Sequence, residues 1–405
     1  MTAHKRRHTT QPFALCKLSY ISIWMVQQFC MQGHIPGAQK FGKSWAIPAH
    51  AEKPGPPRVV RRRGRALSAS GGLPAQTDLM PLMNTPFSPG QCLAAVEAMA
   101  AGPRQDIAWA EYHYFTGKPE AAAKEAEAYL TSGNMAVRLS ACLIYAYANL
   151  SIGEIQRAQF ALRELNAALT AAGERSPQFQ AAAVFVAAAG AVLLHLPLPE
   201  GLPATGDFLP LLPTGLRAFA LYVQVHYLYL KGEYGPSAGL VEGVLAMGAE
   251  NYPIPAIYLH LVAVMDYMSL KQTGQARAHM LSAWEIARPD DLIEGFGEHH
   301  GLLGGMLESV IKPAWPEDFK RIIEITYRFS SGWRRVHNPI TGHDVADDLT
   351  TTEFAVCMLA ARGWSSQDIA ELLHISVSTV KNHIAAAKEK LGVSHRKDLK
   401  QYMLQ

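Results

Sequence analysis

The sequence predicts an all-α protein: a helical-repeat array in the middle, a four-helix unit with a helix-turn-helix at the C-terminus, and a small N-terminal segment with a β-hairpin. Three observations lead there. From Arg104 to Arg335 the apolar residues follow helical spacing, with no two-residue alternation and only short breaks at glycine or proline. Similar junctions recur inside that stretch at intervals typical of helix pairs. Finally, residues 349–399 spell one helix-capping grammar three times.

In the first copy, Leu349-Thr350-Thr351-Thr352-Glu353-Phe354, Thr350 is the N-cap, Glu353 its partner three residues on, and Leu349 with Phe354 a hydrophobic staple. The second, Trp364-Ser365-Ser366-Gln367-Asp368-Ile369, repeats the device with Ser365 as cap and Trp364 against Ile369. The third, Ile375-Ser376-Val377-Ser378-Thr379-Val380, has cap and staple without an acidic partner. Three closely spaced helices follow. On the third, Val377, Val380, Ile384, Ala387 and Leu391 form an inward stripe. Ser378, Lys381, Asn382, Ala385 and Lys388 are left outward, with Thr379 and His383 on the flanks. Such a face suits the major groove, where lysine donates to guanine edges, asparagine pairs with adenine, and alanine leaves room for a base.

Taken together, Leu349-Thr350-x-x-Glu353, Ile369-Ala370-x-x-Leu373, Ile375-Ser376-x-Ser378-Thr379-Val380-Lys381-x-His383 and Lys390-Leu391-Gly392-Val393-x-x-Arg396 resemble the LuxR-type (GerE) DNA-binding domain. The resemblance implies a four-helix unit whose third helix enters the major groove and whose fourth, about His395 to Leu404, mediates dimerisation. It implies base contacts from Lys381 and Asn382, phosphate contacts from Thr379 and Lys388, and a structural role for Glu353. The implied partners are double-stranded DNA, RNA polymerase and a second copy of the chain. Thr352, Ser366 and Ala387 depart from the usual Arg, Asn and Ile, away from the reading face.

At 405 residues, 49% hydrophobic and 18% charged, the chain has room for two or three folded domains and is not a disordered polyelectrolyte. Its net charge of +3 conceals an asymmetry: residues 1–65 hold 12 Lys/Arg against one acid, leaving 25 Lys/Arg against 33 Asp/Glu for the remainder. The five cysteines form no C-x-x-C pair and no metal-ligand spacing with histidines, so no disulfide framework, metal or cofactor is expected, and a reducing cytoplasm fits. The longest apolar run, Ala181 to Leu194, is too short for a membrane span and reads as a buried helix.

Near the N-terminus, His34 to Pro48 reads as two short strands around Gly42-Lys43. Preceded by helical stretches at about Pro12 to Leu18 and Ser22 to Met31, the segment resembles the winged helix of excisionase-like and MerR-type proteins, chiefly in Gly33-His34-Ile35-Pro36-Gly37-Ala38 and Phe41-Gly42-Lys43-Ser44-Trp45. That resemblance implies phosphate contacts from Lys40, Lys43 and Ser44. Ile23, Trp24 and Met25 stand where such modules carry polar or basic residues, so the module reads as degenerate. Gly37 to Ser44 also satisfies the P-loop pattern G-x-x-x-x-G-K-S. A P-loop needs a buried strand before it and a helix straight after. Pro48 and Pro54 exclude that helix, so no nucleotide site is expected.

In the middle of the chain, junctions recur at Gly117, Gly153, Gly232 and Gly274, spaced 36, 79 and 42 residues apart. Each joins an aromatic or aliphatic helix to an alanine-rich one, and the units resemble degenerate tetratricopeptide repeats of the MalT-like sensor region. Such arrays bury a continuous core and leave a concave surface for an effector or protein. Tyr112, Tyr145, Tyr147, Tyr222, Tyr227 and Tyr229 either line a groove there or fill the core, with the core favoured. Glu298-His299-His300 reads as structural, and Ser331 to Asp348 as a hinge.

The expected organisation is a winged-helix segment over 1–54, a basic Pro/Gly/Ser-rich linker over 55–90, an array over 91–335, a hinge over 336–348 and the reader over 349–405. The expected function is a DNA-binding transcriptional regulator without catalytic residues. The alternative is a helical-repeat adaptor with vestigial terminal modules.

Overall fold

The computed structural model describes residues 39–41, 44–46, 78–170, 177–193, 205–337 and 349–403. The chain divides into two compact units, 1–74 and 75–405. In the first, β1 (Gln39–Phe41) pairs antiparallel with β2 (Ser44–Ala46), placing Lys40 opposite Trp45 and Phe41 opposite Ser44. A strand therefore begins at Ser44, where a P-loop would start its helix. Lys43 and the two N-terminal helical stretches lie outside the described residues.

The second unit is helical throughout its described residues. Its helices are α1 (Cys92–Glu97), α2 (Pro103–Phe115), α3 (Pro119–Glu127), α4 (Met135–Ile152), α5 (Ile155–Thr170), α6 (Pro177–Leu193), α7 (Thr205–Phe208), α8 (Thr214–Leu230), α9 (Tyr234–Ala246), α10 (Pro253–Ser269) and α11 (Thr273–Ala287). After them come α12 (Glu294–His299), a π-helical turn over Leu307–Ile311, α13 (Lys312–Ala314), α14 (Pro316–His337), α15 (Thr351–Ala361), α16 (Ser366–Leu373) and α17 (Val377–Lys390). A 3₁₀ turn (Arg396–Leu399) and α18 (Lys400–Met403) finish it. Together they form one continuous helical segment over 396–403 where a fourth helix is expected, its first turn 3₁₀.

Consecutive helices pair α2 with α3, α4 with α5, α8 with α9 and α10 with α11. The first helices also touch one another, α2 on α4, α4 on α6, α6 on α8 and α8 on α10, which makes them one layer. Helix α4 is long and apolar enough to cross a membrane, but most of its residues are buried against these neighbours.

Four helix-pair junctions share one turn. Gly117, Gly153 and Gly232 take left-handed φ values of 74°, 89° and 76°, and the N–H of the next residue bonds back to the carbonyl five residues earlier (Lys118 to His113, Glu154 to Asn149, Glu233 to Leu228). At the fourth junction this position is occupied by Lys271 (φ 62°), with Gln272 bonded to Tyr267. The expected Gly274 lies inside α11 instead. A non-glycine residue in this conformation carries strain of about 1–2 kcal/mol.

Two expectations need correction. Residues 78–90 are not a free linker: Leu79, Met80, Leu82 and Met83 are buried, and the Leu82 and Met83 N–H groups donate to the Glu111 carboxylate at 2.8 and 3.0 Å. The first-helix layer is not an open concave surface either, because α12 packs on α2 and α10 while α14 packs on α4 and α12. Helix α14 also runs through Ser331–Arg335, the expected start of the hinge, as far as His337. Residues 338–348 lie outside the described residues.

The covering helices bring polar groups with them. Glu294, fully buried, accepts from Ser151 Oγ (3.1 Å) and Arg328 Nη2 (3.3 Å). Glu298 accepts from the Tyr114 and Tyr258 hydroxyls. Burial raises both carboxyl pKa values above the ordinary range. His299 Nδ1 lies 2.8 Å from the Gly295 carbonyl, so it donates there, and Nε2 accepts from Tyr222 at 3.1 Å. His300 meets Glu308 at 2.8 Å. The histidine pair is thus built into the core, as are Tyr145, Tyr222 and Tyr229, while Tyr112, Tyr147 and Tyr227 are half-buried.

Candidate nucleic-acid interface

The reading face is positioned by caps. Thr350 Oγ1 accepts from the Glu353 N–H (3.2 Å), and the Glu353 carboxylate accepts from the Thr350 N–H (2.8 Å). Ser365 and Asp368 form the same reciprocal box at 3.1 Å each way. Ser376 Oγ accepts from the Thr379 N–H at 3.0 Å and starts α17. Each cap satisfies an otherwise orphaned backbone donor, so the three helices start where the sequence places them.

Glu353 does more than cap. Lys390 Nζ donates to it at 2.7 Å, joining the end of α17 to the start of α15. Burial alone would raise the Glu353 pKa, but the bonds from Lys390 and Thr350 outweigh it and hold the carboxyl below its ordinary value. Arg396 bonds Ser366 Oγ (3.1 Å) and the Trp364 carbonyl, pinning the C-terminal turn to the start of α16. No local pattern in the sequence encodes this clamp, because Arg396 reaches thirty residues back along the chain.

On α17, Val380, Ile384 and Ala387 are buried, Leu391 just beyond it is buried too, and Val377 is half-buried. Ser378, Lys381, Asn382 and Ala385 are exposed on the opposite side, whereas Thr379, His383 and Lys388 are half-buried. Lys388 and Lys390 place positive charge in the last turn of the helix. The Thr379 hydroxyl lies 2.8 Å from Ser376 Oγ, so it is engaged in the cap as well as lying near the reading face. In the fourth helix, which the resemblance assigns to dimerisation, Leu399 is fully buried in the domain and is not available. Tyr402 is half-buried, and the Met403 side chain lies outside the described residues.

Lys40 and Ser44 fall in β1 and β2, in the other compact unit. Among the described residues no group of His, Cys, Asp or Glu is arranged to hold a metal. Cys92, Cys142 and Cys357 are buried free thiols, and burial pushes the latter two up to about 11 and about 12.

The comparisons agree with this geometry. Residues 347–403 match the family described as bacterial regulatory proteins, luxR family. The chain is also similar to the response regulator protein VraR of Staphylococcus saprophyticus, 28% identical over 148 residues, which cover 35% of this chain and 70% of that protein. Residues 347–403 are therefore a LuxR-type helix-turn-helix domain.

Proposed function

We propose that the chain is a transcriptional regulator that binds duplex DNA through α17, under control of the helical array. The observation that carries this is the two-sided α17: Val380, Ile384 and Ala387 lock it into a capped domain of LuxR type, while Lys381, Asn382, Ser378 and Ala385 stand open to solvent. Lys381 and Asn382 read bases, and Thr379 and Lys388 meet phosphates on either side. One module of this size buries too little surface for genomic specificity, so two copies bind together, with α18 and Tyr402 at the contact. RNA polymerase and an effector of the array are the further partners. Lys40, Lys43 and Ser44 supply additional phosphate contacts from the N-terminal hairpin.

The test is selection from random duplex DNA with the full chain, followed by footprinting. A paired motif should be enriched, and Lys381→Ala with Asn382→Ala should remove its discrimination, each contact being worth roughly 1–3 kcal/mol. Both side chains are exposed, so the double variant should melt with the wild type. Failure to enrich any motif, or unchanged preference in the variant, overturns the reading.

A further inference from the structure

The reader is seated on the array by cations that cross in opposite directions. From the reader, Arg362 at the C-cap of α15 donates Nη2 to the Leu302 carbonyl (2.8 Å) and to the Tyr229 hydroxyl, with its guanidinium 6.0 Å from the Tyr229 ring centre. From the array, Lys271 Nζ donates to the Gly363 carbonyl at 2.9 Å, just past the negative end of α15. Packing between them is close, since a side chain at Gly301 would strike Phe354 and one at Gly305 would strike Leu373.

Lys271 is the informative residue. It stands where Gly117, Gly153 and Gly232 stand at the other three junctions, in the same left-handed turn. Glycine would hold that turn without strain, so the turn itself does not call for lysine. At this junction, which touches the reader, the array departs from its own rule and gains an ammonium group that reaches the other domain. The rest of the seam is apolar packing that continues the core from the array into the reader, with a cleft of about 560 Å³ beside it lined by Lys271, Arg277, Ser309, Trp364, Asp368 and His374 among others. Apolar packing is not directional, whereas the Arg362 and Lys271 bonds fix one relative orientation.

We propose that Lys271 and Arg362 form a reciprocal latch that fixes the reader on the array, and that both are positioning residues for DNA reading. This rests on the function proposed above. Seating leaves Lys381, Asn382 and Ala385 exposed, so the latch does not mask the reading face. It sets where that face stands. In a pair joined at α18, arrays seated in this way restrict how far the two reading helices can separate, and the spacing between half-sites becomes part of what is recognised. Without it, the reader is held on the array by apolar packing alone.

Lys271→Gly tests this in the full chain, because glycine suits φ 62° and should keep or raise the melting temperature. Amide exchange of 359–364 and 302–306 should accelerate at least tenfold while the core of α10 stays protected. Moving the half-sites apart by half a helical turn should cost the wild type at least tenfold in affinity and the variant less than threefold. Arg362→Gln should behave alike, and Lys271→Arg should restore wild-type behaviour. Exchange in Lys271→Gly matching the wild type, or spacing discrimination kept despite local loosening, overturns the latch. A chain that binds no DNA sinks the proposed function, while the exchange measurement still decides whether the latch exists.

Discussion

In the reader, each of α15, α16 and α17 begins with a side chain that satisfies its own first turn: Thr350, Ser365 and Ser376. In the array, α1, α2, α3, α8, α9, α10 and α11 all begin without a side-chain cap bond, and only α4, through Asn134, has one among the caps described. Several array helices use proline in the first turn instead, which removes a donor rather than satisfying it. The reader's helices are thus specified locally, within three or four residues, and the array's by what they pack against. Distant groups do in the array what caps do in the reader: Glu111 holds the N–H groups of residues 82 and 83, and Asp290 those of Gly90 and Cys92 at 2.6 and 2.9 Å.

The sharpest break of this comparison is Glu111→Ala. It strands two backbone donors that are otherwise buried, at roughly 1–3 kcal/mol each. The 78–90 strap should loosen, seen as faster amide exchange there and a lower denaturation midpoint, whereas the exchange of residues 349–399 should be unchanged. Equal loosening of both regions would mean that array and reader unfold as one unit and that the distinction is only descriptive.

Next comes pH, whose effect above 6.5 falls on buried carboxyls of the array. Burial pushes the Glu111 carboxyl up to about 8, against the N–H bonds from Leu82 and Met83 and the charge of Arg104. Burial also lifts Asp266 to about 8, against Ser237 and Arg362, and raises Glu294 and Glu298. Between the ordinary carboxyl value and the raised one, the native chain keeps protons that the unfolded chain has released, so stability falls as pH rises through that window. His260, lowered to about 4 by burial beside His279, acts in the opposite sense between about 4 and 6.5. Above pH 6.5 only the carboxyls still titrate in this set. The melting temperature should therefore fall from pH 6.5 to pH 8.5, and Glu111→Gln should flatten part of that slope. A flat or rising profile would show that these groups are ionised in the folded protein.

The same contrast explains what could be read in advance. Capping boxes and the stripe Val380, Ile384, Ala387 are written within one helix turn or two, and the structure places them as the sequence does. The turn falls at Lys271 and not at Gly274: glycine is the local signal for a left-handed turn, but here a lysine takes that conformation and Gly274 lies inside α11. Likewise Pro, Gly and Ser over 78–90 read as a linker, since the carboxylate that orders the strap comes from α2. Glu294 carries no motif at all, and Glu298 stands out only beside the histidine pair. Their role follows from α12 lying against α2, α4 and α10, which no local pattern encodes.

The smallest expected effect tests the local half of the comparison. Ser365→Ala removes the acceptor for the Asp368 N–H at the start of α16 and should cost about 1 kcal/mol. Asp368, already held below its ordinary pKa by the Ser365 hydrogen bonds, would lose much of that preference. Because the site is exposed, water replaces part of the missing bond, and the loss should stay well below that of Glu111→Ala. Its reach matters more than its size: if α16 is locally specified, exchange should quicken only in its first turn, with α15 and α17 unaffected. Denaturant titration gives the magnitude and amide exchange gives the reach. A loss of several kcal/mol, or loosening that spreads into the array, would show that the reader's start signals act through the seam, and local specification of the reader would have to be abandoned.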